Sequence, residues 1–312
     1  MITRRRLLKG AVALAASGIT FGGYAFAIEP YRLKPVRYRI TPPGWPKTQA
    51  LRIVALADMH TCEPWMPASR VAEIVAAANA LKPDLVVLLG DFIAGHRFVR
   101  KQVPKADWTA ELAKLEAPLG TYAILGNHDW WESLAVQRAR SGPTPVGAAL
   151  EAAGIPVLHN DAMKLGKGRD AFWLLGLGDQ WAFWMGRKRR LENGRFGFGG
   201  ADDLPGTLGK VKDDAPAILL AHEPDIFPDV PGRVSLTLSG HTHGGQVQLF
   251  GWAPRVPSRF GQRYLYGHKR EADSKGRPRD MIISGGLGCS GLPVRFGRPP
   301  ELTVIELGPV SA

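Results

Sequence analysis

Seven residues of this chain have side chains that bind divalent metal ions, and they lie in five short segments. Their side chains are carboxylates, imidazoles and one amide, all of which are metal ligands in proteins. The seven are Asp58, His60, Asp91, Asn127, His222, His241 and His243. Five of the eight histidines fall within these segments, whereas histidines that merely pack in a core would be scattered. The clustering indicates one site that holds two divalent cations close together.

A short apolar run precedes each segment. These runs predict buried strands, because they contain many β-branched residues and end at Gly, Asp, Asn or His. The runs are residues 52–57, 85–89, 121–125, 217–221 and 234–238. Loops that follow neighbouring strands of an open α/β sheet meet at one edge, so we expect the seven side chains to converge there. Residues 67–81 and 106–116 are predicted to form helices between the strands.

The five segments, in this order, resemble the signature of the calcineurin-like metallophosphoesterases. The shared pattern is Asp-x-His, Gly-Asp, Gly-Asn-His-Asp, a lone His and Gly-His-x-His, and the resemblance covers residues 51–307. It implies an α/β fold in which a two-sheet β-sandwich is flanked by helices in four layers. It also implies one metal on Asp58, His60, Asp91 and His243, and a second on Asp91, Asn127, His222 and His241. Asp91 would bridge the two.

Two adjacent cations favour hydrolysis of phosphate esters. They lower the pKa of a bound water and neutralise the phosphoryl oxygens. We therefore expect in-line attack by a metal-bridging hydroxide without a covalent intermediate. The resemblance leaves His128 off the metals and implies that it assists the leaving group. Asp129 is expected either to orient His128 or a metal ligand, or to cap a helix over residues 130–136.

The identity of the metals is less constrained than their number. Manganese is the favoured metal at both positions, and zinc and iron are the alternatives. Intrinsic affinity would favour copper or zinc over manganese, so loading in the cytoplasm before export would select the metal.

The N-terminus resembles a twin-arginine export signal. Arg4 and Arg5 precede Leu7, Leu8 and Lys9, and an apolar stretch then runs to a small-x-small end at residues 25–27. We expect the twin-arginine machinery to deliver the protein to the periplasm or to the outer face of the cytoplasmic membrane. An uncleaved membrane anchor is the alternative. Residues 28–50 would form an extended lead-in, and residues 51–312 the metallophosphoesterase domain.

Charge and composition suggest anionic partners. Removing residues 1–27 takes away four cations and no acids, so the formal net charge of +12 becomes +8. A cationic run follows the aromatic residues Trp181, Phe183 and Trp184 and suits an anionic membrane or a wall polymer. The run consists of Arg187, Lys188, Arg189 and Arg190. A solvated loop is the alternative. Nucleic acid is disfavoured, because no recognised base-reading motif accompanies these cations.

Several other residues have two interpretations each. Tryptophans follow the metal segments and either wall a cleft or pack beneath the loops; they are Trp65, Trp130, Trp131 and Trp252. Arg295 either reaches a substrate phosphate or is exposed or salt-bridged. Cys62 and Cys289 are too few for a disulfide framework, and two free, buried thiols are favoured over one bridge.

The leading functional expectation is an exported dinuclear phosphodiesterase acting on an envelope phospholipid or a wall-polymer phosphate. The Asp-Arg pair that follows Gly-Asp in related protein phosphatases is missing after Asp91, which argues against phosphoprotein substrates. Residues 281–301 resemble an exported or membrane-associated branch that includes UDP-diacylglucosamine pyrophosphatases, so a membrane-anchored enzyme of that type is an alternative. A non-catalytic wall- or membrane-binding module is another.

Overall fold

The computed structural model describes residues 4, 5, 18, 20–185 and 197–308. Most of the predicted export signal lies outside these residues, and so does the whole cationic run at residues 187–190. Within the described ranges, helices are too short or too polar to cross a bilayer.

The strands form two main sheets and one small hairpin. In chain order they are β1 (Lys34–Ile40), β2 (Leu51–Leu56), β3 (Leu85–Leu88), β4 (Thr121–Ala123), β5 (Asp161–Leu165), β6 (Phe172–Gly176), β7 (Phe183–Trp184), β8 (Phe198–Gly199), β9 (Ala217–Leu220), β10 (Val234–Ser239), β11 (Gly267–Ala272), β12 (Pro278–Ile283) and β13 (Glu301–Leu307). The first sheet has the order β1-β13-β2-β3-β4, and the second has the order β11-β12-β10-β9-β6-β5. Strands β7 and β8 pair with each other.

Helices lie mainly between the strands of the first half of the chain. The α-helices are α1 (Ala68–Ala80), α2 (Lys105–Leu112), α3 (Asn127–Trp131), α4 (Leu134–Ala139), α5 (Pro145–Ala152) and α6 (Leu204–Gly209). Short 3-10 helices cover Glu29–Tyr31, Gly168–Asp170, Pro224–Asp229, His243–Gly245 and Gly261–Tyr264.

Three apolar clusters separate the layers. The central cluster fills the space between the sheets, where Ile53 and Val87 of the first sheet meet Leu220 and Leu238 of the second. A second cluster packs the outer face of the first sheet against α1 and α2. A third covers the outer face of the second sheet, mainly with the 3-10 helix Pro224–Asp229. The expected two-sheet sandwich flanked by helices is therefore confirmed.

The predicted strands and helices occur with small shifts at their ends. The exception is the helix predicted over residues 130–136, which is wrong in its bounds. Helix α3 already begins at Asn127, and a separate helix α4 begins after Ser133, whose side chain accepts a hydrogen bond from Val136 N. Within the proposed lead-in, β1 pairs in parallel with β13 at the edge of the first sheet.

Candidate functional site

The five motif segments meet where the ends of both sheets lie side by side. Asp58, Asp91 and Asn127 follow β2, β3 and β4, the parallel strands of the first sheet. His222 and His241 follow β9 and β10, which are parallel neighbours in the second sheet. Because all these strands point their carboxyl ends the same way within each sheet, their loops supply side chains to one cleft.

The backbone of this site is unusual. Five of the seven predicted ligands have positive φ angles, a conformation that side-chain-bearing residues seldom adopt. They are Asp58 (53°), His60 (49°), Asp91 (57°), His241 (66°) and His243 (53°). Each such residue costs free energy, on the order of 1–3 kcal/mol, and clusters of them mark functional sites. Here the left-handed turns direct the side chains of these five residues toward the cleft.

Two glycines permit the close approach of the loops. A Cβ on Gly126 would lie 2.4 Å from Asp91 Oδ1 and 2.7 Å from His222 Cε1. A Cβ on Gly240 would lie 2.7 Å from Asp58 Oδ2. A side chain at either position would displace a predicted metal ligand, so glycine is required there.

One cluster of candidate ligands joins the first and last motif segments. Ligand atoms of Asp58, His60 and His243 lie within 4.8 Å of one another. His60 Nε2 and His243 Nε2 are 3.0 Å apart, and His243 Nε2 is 3.6 Å from Asp58 Oδ1. Two imidazole nitrogens and a carboxylate oxygen therefore face the same point.

A second cluster shares Asp91 with the first. Ligand atoms of Asp91, His222 and His241 lie within 4.8 Å of one another. Asp91 Oδ2 is 3.5 Å from His60 Nε2 in the first cluster and 3.3 Å from His222 Nε2 in the second. One carboxylate thus lies between two groups of nitrogen ligands, which is the arrangement that a bridging carboxylate requires.

The remaining hydrogen-bonding capacity of these side chains fits metal ions. His241 presents Nδ1 to the cluster, 3.3 Å from His222 Nε2. Asn127 Oδ1 is buried and, within the described part of the chain, has no hydrogen-bond partner. Buried polar atoms are rarely left so. The Nδ1 atoms of His60 and His222 face the carbonyl oxygens of Ile93 and Leu89 at 3.0 and 2.7 Å. Donation to these carbonyls leaves each Nε2 free to bind a metal.

Burial controls the ionisation of the site. Burial lowers the pKa of His60 and of His241 to about 3, so both rings are neutral and can coordinate. Burial raises the pKa of Asp58 to about 7. For Asp91 the effect of burial is outweighed by His222 and His128, which hold its pKa well below the usual range.

His128 lies beside both clusters. Its ring contacts that of His60 at a centroid distance of 4.8 Å, and its backbone N–H donates to Asp91 Oδ1 at 2.9 Å. The ring lines the cleft, and desolvation lowers its pKa. A ring nitrogen of His128 also falls within 4.8 Å of ligand atoms of His60 and Asp91, so the geometry alone permits it as a ligand.

Asp129 performs both kinds of role that the sequence suggested for it. Its carboxylate accepts hydrogen bonds from the backbone N–H groups of Gly126, Asp91 and Phe92, each at 2.9 Å. It therefore caps the first turn of α3 and also holds the loop that carries Asp91. Contact with the ring of His128 is not part of this arrangement.

The cleft has a volume of about 180 Å³ and aromatic walls. Trp131 lines the cleft, which is one of the two positions expected for the tryptophans that follow the metal segments, and Trp181 lines it as well. Phe198 stacks on Trp181 and Trp131, with ring centroids 4.8 and 5.2 Å apart. The other three tryptophans do not line this cleft: they are the buried Trp130, Trp65, and the exposed Trp252.

The structure also identifies residues that the sequence did not single out for this site. Arg255, Gln246 and Ser290 line the cleft. Asp179 and Glu223 form a buried acidic pair beside His222, and burial, followed by Glu223, raises the pKa of Asp179 well above its usual value. Asp179 follows the buried strand β6, so the same strand-then-carboxylate pattern that marked Asp58 and Asp91 would have found it.

One arginine has a role that differs from the expectations for it. Arg295 is neither a substrate contact nor exposed: its buried guanidinium donates to the carbonyl oxygens of Gly285, Gly288 and Arg298. It therefore anchors the loop that follows β12.

Cys62 and Cys289 are both free and buried, and burial raises the pKa of the Cys62 thiol to about 11.

Comparison with known proteins agrees with this geometry. The family model for calcineurin-like phosphoesterases matches residues 51–245. An uncharacterized metallophosphoesterase of Bacillus subtilis, YkuE, is 31% identical over 98% of both chains. The phosphodiesterase YaeI of Escherichia coli is 29% identical over 98% of this chain and 100% of its own. An uncharacterized metallophosphoesterase of Aquifex aeolicus is 27% identical over 93% of this chain and 97% of its own.

Proteins of this family use a dinuclear centre of divalent metals, and this chain has the candidate ligand groups for one. The match covers more than half of the chain and includes all seven of the predicted ligands. The chain therefore belongs to the calcineurin-like phosphoesterase family and is a metal-dependent phosphoester hydrolase.

Proposed function

We propose that this protein is a phosphodiesterase with two divalent metals. One metal would be held by Asp58, His60, Asp91 and His243, and the other by Asp91, Asn127, His222 and His241. The position of Asp91 Oδ2 between His60 Nε2 and His222 Nε2 is the observation that carries this assignment. When bound, such a pair supplies an activated water and charge neutralisation at phosphorus. Manganese remains the favoured metal on the loading argument, since intrinsic affinity alone would favour copper or zinc.

The residues around the metals have separate tasks. His128 would assist the leaving oxygen by donating a proton or a hydrogen bond to it, because it lines the cleft next to Asp91 without being needed to complete either cluster. Arg255 lies on the cleft wall and supplies positive charge for an anionic ester. Trp131 and Trp181 narrow the cleft and exclude water from one side of the substrate.

A diester is favoured over a monoester for two reasons. The full-length relative from Escherichia coli is named a phosphodiesterase. In addition, the cleft offers one exposed arginine, Arg255, among its described lining residues, which suits a single negative charge better than a dianion. An ester of the cell envelope, in a phospholipid or a wall polymer, agrees with the basic composition and with the apolar N-terminal segment.

Turnover of bis-p-nitrophenyl phosphate and p-nitrophenyl phosphate by metal-analysed protein tests the proposal. We expect kcat/KM to be at least tenfold higher for the diester, and two metal equivalents per chain. Asp91→Asn should lose both metals and activity with either ester. A wild-type protein with two metals and no hydrolysis of any ester would instead support the binding-module alternative.

We also propose export by the twin-arginine route. The paired Arg4 and Arg5 ahead of an apolar segment support it. Replacement of both by lysine in the full chain should abolish export while cytoplasmic activity is retained. Undiminished export of that variant would contradict the proposal.

A further inference from the structure

A hairpin beside the cleft exposes its apolar tip. Leu249 and Trp252 pair across a two-residue turn made of Phe250 and Gly251: Leu249 N–H donates to Trp252 O at 2.8 Å, and Trp252 N–H donates to Leu249 O at 2.9 Å. Phe250, at the tip, is fully exposed, with a relative accessibility of 108%. Leu249 and Trp252 are 48% and 55% exposed. A turn of this length in water is normally polar, so three exposed large apolar residues indicate a contact surface.

Other exposed apolar residues adjoin this hairpin through Phe296. Gln248 N–H donates to Phe296 O at 2.7 Å, which joins the base of the hairpin to the C-terminal loop. On its other side the ring of Phe296 contacts Phe21, with centroids 5.9 Å apart. Phe21 is 59% exposed, and Leu292, in the same C-terminal loop, is 50% exposed. We call Leu249, Phe250, Trp252 and Leu292 the apolar face, which Phe21 adjoins only while residues 1–27 are retained.

The segments that form and flank the apolar face carry positive charge alone. The sequence has no Asp or Glu between Asp229 and Glu271, and none between Asp280 and Glu301. The first of these acid-free stretches contains the exposed Arg255, and a Cβ on Gly291, the residue before Leu292, would lie 3.8 Å from its Nη1 atom. Apolar side chains in acid-free, cationic segments are complementary to a bilayer that contains anionic lipids, where hydrophobic insertion and electrostatic attraction act together.

The shape of the face favours a bilayer over a partner protein. Phe250 is 108% accessible at the tip of the turn, and a Cβ on the next residue, Gly251, would meet nothing within 4 Å, so the surface is convex. A partner protein would need a matching pocket, whereas the interfacial layer of a bilayer accepts Trp and Phe side chains without one.

We propose that the apolar face rests on an anionic lipid bilayer, with Phe250 and Trp252 inserted in its interfacial layer. The cleft would then open beside the membrane surface. Gln246 lines the cleft and leads into the hairpin, and Gly291 lines it and precedes Leu292. This inference deepens the proposed function, because it makes phosphate esters at the bilayer surface the accessible substrates.

Vesicle binding of the full chain tests the proposal without reference to hydrolysis. We compare wild type, Phe250→Asp/Trp252→Asp and the matched control Leu134→Asp, since Leu134 is an exposed apolar residue, 69% accessible, on α4. On vesicles of phosphatidylglycerol and phosphatidylcholine, the double variant should bind at least about tenfold more weakly. The control should bind as wild type does. Unchanged melting temperatures establish that the variants are folded.

The apolar residues 10–27 are present in every variant and would mask a loss of binding if they held the chain on the vesicle by themselves. Quenching by lipids brominated on their acyl chains therefore reads the hairpin directly. Comparison with Trp252→Phe identifies the emission of Trp252, which should be quenched in vesicle-bound protein. Comparison with Trp184→Phe identifies the emission of Trp184, which should not be quenched. An unquenched Trp252 would overturn the proposal, and so would Trp252-dependent binding to wall polymer without any to vesicles. Neither result depends on whether a diester is hydrolysed.

Discussion

The carboxylate of Asp129 accepts a hydrogen bond from the backbone N–H of Asp91 at 2.9 Å, so α3 holds the loop that carries the central ligand. The same Oδ2 atom accepts from Gly126 N–H, and Oδ1 accepts from Phe92 N–H. Three backbone donors on two loops therefore converge on one buried side chain. This contact sets the distance between Asp91 and Asn127, which lies directly after Gly126.

Asp129→Asn should weaken metal binding without removing any ligand. The amide has one acceptor oxygen and presents an N–H₂ group to backbone donors, so a buried N–H group loses its partner, at a cost of about 1–3 kcal/mol of unfolding free energy. Metal affinity should fall by about 10–100-fold, as for other residues that orient ligands. Calorimetric titration with Mn²⁺ and denaturant unfolding measure the two effects. Wild-type affinity in the variant would show that Asp129 only caps α3.

His128→Asn should separate catalysis from metal binding. Loss of a proton donor should lower kcat by about 10²–10⁴-fold while both metals stay bound. The readouts are elemental analysis and turnover of bis-p-nitrophenyl phosphate, whose good leaving group needs less protonation than that of an alkyl ester. The defect should therefore be larger with an alkyl leaving group. Loss of a metal equivalent would instead make His128 a ligand.

Asn127→Ala should remove one metal and leave the other. Asn127 Oδ1 is buried without a partner in the described part of the chain, so its removal breaks no internal hydrogen bond through that atom. We expect one metal equivalent after dialysis, and a metal-free variant at least as stable as the metal-free wild type. Asn79→Ala is the control for metal content, because that half-buried amide bonds only to the backbone of Lys114 and Glu116 and does not line the cleft. Retention of two tightly bound metals in Asn127→Ala would contradict the assignment.

The stability of the metal-free protein should fall as the pH rises from 6.5 to 8. Burial raises the pKa of Asp58 to about 7 and that of Asp129 to about 8, against 3.8 for an ordinary Asp. In this window the folded state therefore holds more protons on these carboxyls than the unfolded state does, and deprotonation favours unfolding. His60 and His241, with pKa values lowered to about 3, oppose this trend only near pH 6.5, where the unfolded imidazoles still lose protons; by pH 8 they are neutral in both states.

Metal binding should reverse this trend, because ligation requires the ionised carboxylate of Asp58. Thermal unfolding with EDTA and with Mn²⁺ measures both effects. The melting temperature should decline with pH in EDTA, and the increase caused by Mn²⁺ should grow. A Mn²⁺-induced increase that is constant from pH 6.5 to 8 would mean that no ligand carboxyl titrates there.

Arg255→Ala should raise KM for an anionic diester about tenfold with little change in kcat, if the arginine attracts the ester equally in the ground and transition states. Arg169→Ala serves as the control, because Arg169 is exposed in the 3-10 helix before β6, at the amino end of that strand. Steady-state kinetics at low and high salt should show a KM difference that shrinks with salt. An equal loss of kcat and kcat/KM would place Arg255 in the transition state instead.

The sequence by itself determined the class of site and the elements that carry it. Asp58, Asp91 and His241 each follow an apolar run. A buried strand that ends in a turn can be recognised from such a run and its flanking residues alone. The order of the five segments resembled a family signature, and that resemblance implied the two-sheet fold. The convergence of the seven side chains followed from the strands themselves, because parallel strands direct their following loops to one edge.

Only the tertiary structure decided which neighbours complete the cleft. Trp131 lines it while Trp130 is buried away from it, although both follow the same motif. Arg295 is locked on backbone carbonyls, whereas Arg255 reaches the cleft wall. Such choices depend on left-handed backbone turns and on contacts between the two sheets. Both are set by packing between residues far apart in the chain, so the spacing of residues in the sequence does not predict them.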